Sequence, residues 1–306
     1  AGGAPAQLPP VRVQYGAYAT WQRSPAAESR ASADLAYWEQ ALAGVPASLD
    51  LPTDRPRHAA PTFEGRRLTR HLPLPLIRRL QALGREHDAT LYMVLIAGIQ
   101  AVLHRHTGQD DVTIGTPIAG RAQPELEDAI GFYGNTLLLR SQMAADASFA
   151  AHLRRTRDIC LGAYDHQGAP FERVARLRGD ATTLVQVLVV MQDAGDAALA
   201  LPGLRVQRMD LGRGTAKAEL TLSMREAGDG LRMAVEFRAD LFDDATIARM
   251  LQHLETLLAG ACADPNRDVA ALPLLPAEER QRLLVDWNDT AAPYPAESTI
   301  DALLWS

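Results

Sequence analysis

Cysteine is scarce in this 306-residue sequence: Cys160 and Cys262 are the only two, and no Cys-x-x-Cys spacing exists. That excludes a disulfide framework and a cysteine-built zinc site. Cys160 falls in a helical pattern beside Ile159 and Leu161, where a buried thiol is expected. Long apolar runs are also missing. The longest, "LYMVLIAGIQAVLH", stops short of a bilayer span, so no membrane partner is expected. The opening "AGGAPAQLPPVRVQ" has neither the charge nor the apolar block of a signal peptide, which points to a cytoplasmic, reducing setting. Concentrated positive charge is lacking too. The net charge is −6 and dispersed. The tightest basic group, Arg66, Arg67 and Arg70, has no stacking aromatics between its members, so it reads as a solvated strand face and nucleic acid is not an expected partner.

Catalytic signatures are equally hard to find. A nucleophile elbow, a P-loop, a dinucleotide glycine fingerprint and a metal-type histidine pair on one helix face are all absent. His104 and His106, two positions apart, point in different directions on a helix and read as exposed residues near its negative end. His166 in "DHQGAPFERV" has Asp165, Gln167 and Glu172 close by, but it precedes a Gly-Ala-Pro turn that starts a helix, which favours a structural role.

What is present is enough apolar residue, 47% of the chain against 22% charged, to bury a substantial core. After a Pro/Gly/Ala-rich start, "VQYGAYATWQ" sets Tyr15, Tyr18 and Trp21 at helical spacing, a stripe that seeks a surface. A second amphipathic segment carries Leu35, Tyr37, Trp38 and Leu42 and ends at Gly44. The loop "LPTDRPRHAAPTFEG" is too proline-rich for a helix or inner strand. Leu76, Ile77, Leu80 and Leu83 then mark a helix, followed by a mostly buried one stopped by Gly108. "DVTIGTPI", "TLLLR" and "LVQVLVVMQ" read as strands, and "KAELTLSM" with "GLRMAVEFR" as a hairpin turning through "REAGD". Ser148 is placed to cap one helix and Asp243 or Asp244 another, which carries Ile247, Leu251, Leu254 and Leu258. The prediction is one layered α/β unit over residues 23–275, helices on a mixed sheet.

Taken in order, "VQYGAYATWQ", "IGTPIAGRAQPELEDAIGFYGNTLLLR", "HQGAPFERV", "ELTLSM…GLRMAVEFRADLFDDATIARMLQHLETLL" and "LPLLPAEERQRLLVDWNDT" resemble a condensation domain of a nonribosomal peptide synthetase. The resemblance covers almost the whole chain. It implies a chloramphenicol-acetyltransferase-like lobe and amide-bond formation between carrier-bound aminoacyl or peptidyl thioesters. Implied partners are an N-terminal lobe, donor and acceptor peptidyl carrier proteins with their 4'-phosphopantetheine arms, and a downstream adenylation domain. The family's His-His-x-x-x-Asp-Gly motif belongs to the N-terminal lobe, and no two of the eight histidines here are adjacent. The expected layout is therefore a lobe-connecting segment over 1–22, the C-terminal lobe over 23–275, and over 276–306 a linker with the first residues of an adenylation domain. No catalytic residue is assigned, no cofactor is expected to be bound covalently, and the chain is expected to make no peptide bonds alone.

Three departures stand out. "HQGAPFE" has Gly168 where the family has an acid, "RGDATTLVQV" is a reduced form of the block before the core strand, and "AELTL" puts Ala218 and Glu219 where Phe-Asp is usual. The resemblance places "TPIAGRAQPELEDAIGFYGNTLLLR" as a segment that floors the tunnel between the lobes. Gly131 and Gly134 would let the backbone bend and lie close to another chain or a pantetheine arm. Asn135 either orients a neutral substrate group or caps the turn into "TLLLR". Phe132 and Tyr133 pack with one face on the tunnel. "GTAKAELTL" matches a second crossing, with Thr215 and Lys217 free to pair with the other lobe and Leu220 and Leu222 pointing into this one. The expected substrate-binding set is Gly131, Tyr133, Gly134, Asn135 and Thr215. An epimerisation domain shares the fold, but the linker "LPLLPAEERQRLLVDWNDT" argues against it. A carrier-docking scaffold without chemistry is the rival from another class.

Overall fold

The computed structural model describes residues 10–58, 62–143, 147–178, 184–192, 204, 212, 214–291 and 298–305. The proline-rich start through residue 9 and positions 179–183 of "RGDATTLVQV" lie outside them.

Six strands form one mixed sheet: β1 (Gly65–Pro73), β2 (Asp111–Ile118), β3 (Asn135–Gln142), β4 (Val187–Gln192), β5 (Leu220–Ala227) and β6 (Gly230–Arg238). Their spatial order is β1-β6-β5-β4-β2-β3, with β4 parallel to both β2 and β5 and the remaining pairs antiparallel. The hairpin is as predicted, but its strands run further into the "REAGD" segment. Ala227 pairs with Gly230, which leaves a two-residue turn. Alternation decides which side chains enter the core. Leu220, Leu222 and Met224 of β5 are buried, as are Leu231, Met233, Val235 and Phe237 of β6. Thr221, Ser223 and Arg225, on the other face, are only partly covered.

Four helices layer the sheet: α3 (Leu74–Glu86), α4 (Leu91–Thr107), α5 (Phe149–Asp165) and α7 (Asp244–Ala263). The central one is α4, which touches α3, α5, α7 and β2. Every residue from Met93 to Leu103 in it is buried, and this explains why its sequence lacks a polar face. Thr90 caps it by accepting from the Met93 amide, and Gly108 closes it at φ +70°. Ser148 caps α5 as predicted, accepting from the Ala151 amide.

The capping expectation for α7 needs correction. Asp243 sits at the N-cap position without capping; its carboxylate is taken by Arg55 at 2.6 Å. Asp54 does the work instead, accepting from the Asp243 amide at 2.7 Å and the Thr246 hydroxyl at 2.8 Å. Thus the proline-rich loop, which reads as a connector, anchors a helix start on the far side of the sequence. Glu219 has a related job: Arg57 of the same loop grips it through two hydrogen bonds of 2.9 and 3.0 Å.

Two more helices lie before β1, α1 (Tyr15–Gln22) and α2 (Pro25–Ala41). A short α6 (Phe171–Arg176) follows α5, and α8 (Ala277–Leu284) and α9 (Ile300–Leu304) follow α7. Of the β1 arginines, Arg66 and Arg67 are exposed as expected and Arg70 is half-buried; Arg70 pairs with Glu255 at 2.6 Å and Arg66 with Asp244 at 3.3 Å, both on α7. Among the described residues, no helix is long and apolar enough to cross a membrane.

Candidate functional site

Between β2 and β3 the chain leaves the sheet at Ile118 and returns at Asn135, which face each other in the register. A single-turn 3-10 helix, Pro124–Leu126, interrupts the excursion. Arg121 stiffens it by donating to the carbonyls of Leu126 and Ala129, both at 3.0 Å, with its guanidinium 4.7 Å from the centre of the Tyr133 ring. Leu126, Ala129 and Tyr133 form a small apolar cluster apart from the main core, onto which Val13 and Tyr18 pack.

The aromatic stripe finds its surface here. The Tyr133 ring meets Tyr15 edge-on at 5.3 Å and Tyr18 at 4.7 Å between centroids, while Trp21 stays 41% exposed. Burial pushes the Tyr18 phenol up, with Tyr15 and Tyr133 adding to the shift. Phe132, at the cavity mouth, is 81% exposed, and Ile130 is 93% exposed.

The glycines serve a different purpose from the one expected. Gly131 lies against the Tyr15 ring, which a Cβ would strike, so its slimness accommodates this chain's own α1. Gly134 has only an ordinary contact, 3.6 Å to the Ile118 carbonyl. The glycine that the bend requires is Gly120, at φ +65°, where a Cβ would collide with the Tyr133 carbonyl.

Asn135 is saturated. Its amide donates to the carbonyls of Gln167 at 3.0 Å and Ala169 at 2.8 Å, and its oxygen accepts from the amides of Thr136 and Phe171, both at 2.9 Å. Those four bonds exhaust an amide side chain. Through them Asn135 clamps the 167–171 turn to the start of β3.

These parts line an open-sided cavity of about 1020 Å³, walled by α1, α2, the returning bend and residues 164–173. Tyr133, Gly134 and Asn135 line it; Gly131 does not. Nor does Thr215, whose segment pairs with the stretch before β1 through a Glu64–Thr215 bridge and a bond from the Ala216 amide to Phe63. Gly65 permits that approach, since a Cβ there would run into the Thr215 backbone. Asp34 of α2 also lines the cavity. It faces Gly168, a juxtaposition across the fold that has no local signal in the sequence.

The histidines stand elsewhere. His166 is bonded through Nδ1 to the Gly162 carbonyl (2.8 Å), and its ring stacks on Tyr37 at 3.9 Å. His152 is fully buried against the Ala97 carbonyl, and burial lowers it to about 4. His106 is not the exposed helix-end residue expected. It sits 3.0 Å from His253 Nδ1, and His253 Nε2 is 2.8 Å from Glu279. None of these lines the cavity. Among the described residues, no group of three or more His, Cys, Asp or Glu side chains is arranged to hold a metal ion.

Comparison with known proteins bears on this arrangement. The Condensation domain family model matches residues 2–284. Malpinin synthetase of Mortierella alpina is 38% identical over 306 residues, 98% of this chain but 4% of its own length. Phosphinothricin tripeptide synthetase PhsB of Streptomyces viridochromogenes is 39% identical over 310 residues, 99% of this chain and 26% of that protein. The chain thus spans a small part of the relatives it matches. Among solved structures, the X-domain from teicoplanin biosynthesis superposes with a TM-score of 0.79 at 25% identity, over 88% of this chain and 64% of that one. A four-domain nonribosomal peptide synthetase, holo-AB3403, gives 0.73 at 23% identity, over 80% and 20% respectively. The mixed sheet under its helical layer is the chloramphenicol-acetyltransferase-like fold that the motifs implied. On the family model and the synthetase relatives together, the chain belongs to the condensation domain family of nonribosomal peptide synthetases.

Proposed function

We propose that this chain builds one wall of a tunnel in which an acceptor amine attacks a carrier-bound donor thioester, and that the proton-handling imidazole is supplied by an N-terminal lobe. The observation carrying this reading is the bend itself. Arg121, Gly120 and the Tyr133 cluster hold it rigid while Ile130 and Phe132 are presented outward as large, uncovered apolar side chains. A second lobe seated on them would close the cavity from that side. Residues 1–22 then connect the lobes, and the helix Ala277–Leu284 leads toward an adenylation domain in a cytoplasmic, multidomain synthetase.

The reaction forms a C–N bond and breaks a C–S bond, releasing the donor thiol, and the attacking nitrogen gives up one proton. A thioester is already activated, so alignment and exclusion of water are most of what a wall must contribute. Tyr18, Ile118 and Phe132 offer apolar lining, and Gln22 and Gln123 polar contacts, in a volume that suits the slender amide-bearing 4'-phosphopantetheine arm of a carrier protein. Asn135 keeps the 167–171 wall in place.

The test is reconstitution. With donor and acceptor carriers loaded, dipeptidyl product should form when an N-terminal lobe is added and not with this chain alone. Product from the chain alone overturns the division of labour. Ile130→Ser with Phe132→Ser should leave the chain's own melting almost unchanged and weaken association with the added lobe. A docking role without chemistry is the second reading, favoured by the similarity to the X-domain, which has been solved in complex with OxyB (TM-score 0.79, 26% identity). Carrier binding without product in the reconstituted pair would select it.

A further inference from the structure

We propose that Asp34 is the anionic element of a recognition site for a primary ammonium group at the cavity wall between α2 and the 167–171 turn. Asp34 is 8% exposed and lines the cavity. One carboxylate oxygen faces Gly168 so closely that a Cβ added there would lie 2.5 Å away. Yet no hydrogen bond or ion pair reaches it from the described residues, in contrast to Glu28, six positions earlier on α2, which is paired with Arg173 at 2.9 Å. The remaining charges of the cavity wall, Arg23, Arg30, Asp165 and Glu172, are exposed. Among the described residues, Asp34 is therefore the one buried charged residue of this wall that no protein group pairs with, and its carboxylate is reached from the cavity. A carboxylate so placed has acceptor positions open to a cation that enters from the cavity side.

The chemistry of the surroundings narrows the class of cation. A lone carboxylate does not make a metal site, which needs several oxygen ligands. Because Oδ2 is turned against Gly168, a guanidinium, which grips both carboxylate oxygens at once, is poorly matched; a compact ammonium with three donors is well matched. Tyr18 and Trp21 line the same cavity, and aromatic rings attract an organic cation that reaches their faces. Gly168 takes on a purpose in this light, since any side chain there would occupy the carboxylate's place.

The inference deepens the condensation reading, in which the nucleophile is an amine, but its test does not require catalysis. The chain is titrated with leucine methyl ester (an α-amine only), Nα-acetyl-lysine methyl ester (a side-chain amine only) and N-acetyl-leucine methyl ester (no amine), following the Gly168 and Ala169 amide signals by NMR. Saturable shifts are expected from one or both amines, and which of the two binds identifies the source of the ammonium. The acetylated leucine ester should give none. Asp34→Asn, nearly the same shape, should weaken amine binding about tenfold or more, and Gly168→Ala, which crowds the carboxylate from the opposite side, should do likewise. Equal shifts from the acetylated leucine ester, or amine binding unchanged in both variants, overturns the proposal. Amine binding by a chain that fails in the two-lobe reconstitution keeps the site and rejects the condensation reading, so the two can fall separately.

Discussion

Asn135 and Ala169 are joined by a hydrogen bond of 2.8 Å that ties the first residue of a strand to the turn just before a helix, 34 positions later. Together with the bonds to Gln167 and Phe171, it makes the cavity wall one rigid piece with the sheet. Asn135→Ala leaves two carbonyls and the Phe171 amide short of partners. We expect a loss of about 2–4 kcal/mol in urea unfolding. Asn135→Asp should lose nearly as much, because a carboxylate cannot donate to the two carbonyls. A change under about 0.5 kcal/mol in either would mean that solvent replaces the bonds.

The two glycines flanking the bend should behave oppositely. Gly120→Ala meets both a left-handed backbone, φ +65°, and the Tyr133 carbonyl, so destabilisation of about 2–4 kcal/mol is expected. Gly134→Ala has ordinary van der Waals room and should stay within about 1 kcal/mol of the parent. Thermal unfolding of the pair measures the contrast, and equal effects would contradict it.

Acid should unfold the protein in two stages. His106 and His152 are both lowered to about 4, chiefly by burial. His253 and then Arg105 push His106 further, against Glu279, while the Ala97 carbonyl works against the shift in His152. Unfolded histidine binds its proton near 6.5 and these do not until about 4, so their contribution is complete above 6.5 and is lost as pH falls through 4. The slope should approach about 1.4 kcal/mol per pH unit for each histidine. Asp240 titrates later. Arg238 hydrogen bonds hold it down to about 2 from 3.8, so what it adds is present above about 4 and disappears toward 2. Urea midpoints from pH 7 to 3 should show the upper window and the onset of the lower one, and His106→Gln should flatten the upper one by about half.

Glu279 to His253, at 2.8 Å, is a contact by which the helix Ala277–Leu284 is held to α7. Most of that helix is exposed, with Leu284 at 54%. Glu279→Gln should speed proteolytic cleavage across residues 276–285 several-fold and leave the main unfolding transition within about 0.5 kcal/mol. Unchanged cleavage would show that packing alone retains the helix.

Much of the fold is legible in the sequence because its signals are local. The run of buried residues in α4, the alternation of β5 and β6, and the Ser148 cap each lie within a few positions of one another. The motifs carry the family in the same way. The site is less legible, since its contacts join distant parts of the chain. Gly131 is slim for a reason the sequence does not show locally, the Tyr15 ring beside it, whereas Gly134 has ordinary room. Asn135 reads as a donor and acceptor near a strand end, and only the fold shows that backbone 32 to 36 residues later uses most of it. Thr215 reads as part of the same surface, whereas strand-like pairing with Glu64 carries it away. His106 reads as solvated because α7, which covers it, lies far along the sequence.

The rings of α1 rest on Tyr133, outside the main core. Tension applied upstream of Tyr15 would therefore tug on the excursion between β2 and β3 before any strand felt it. That linkage would turn a pull on the segment before Tyr15 into a change in the width of the cavity that Tyr133 lines.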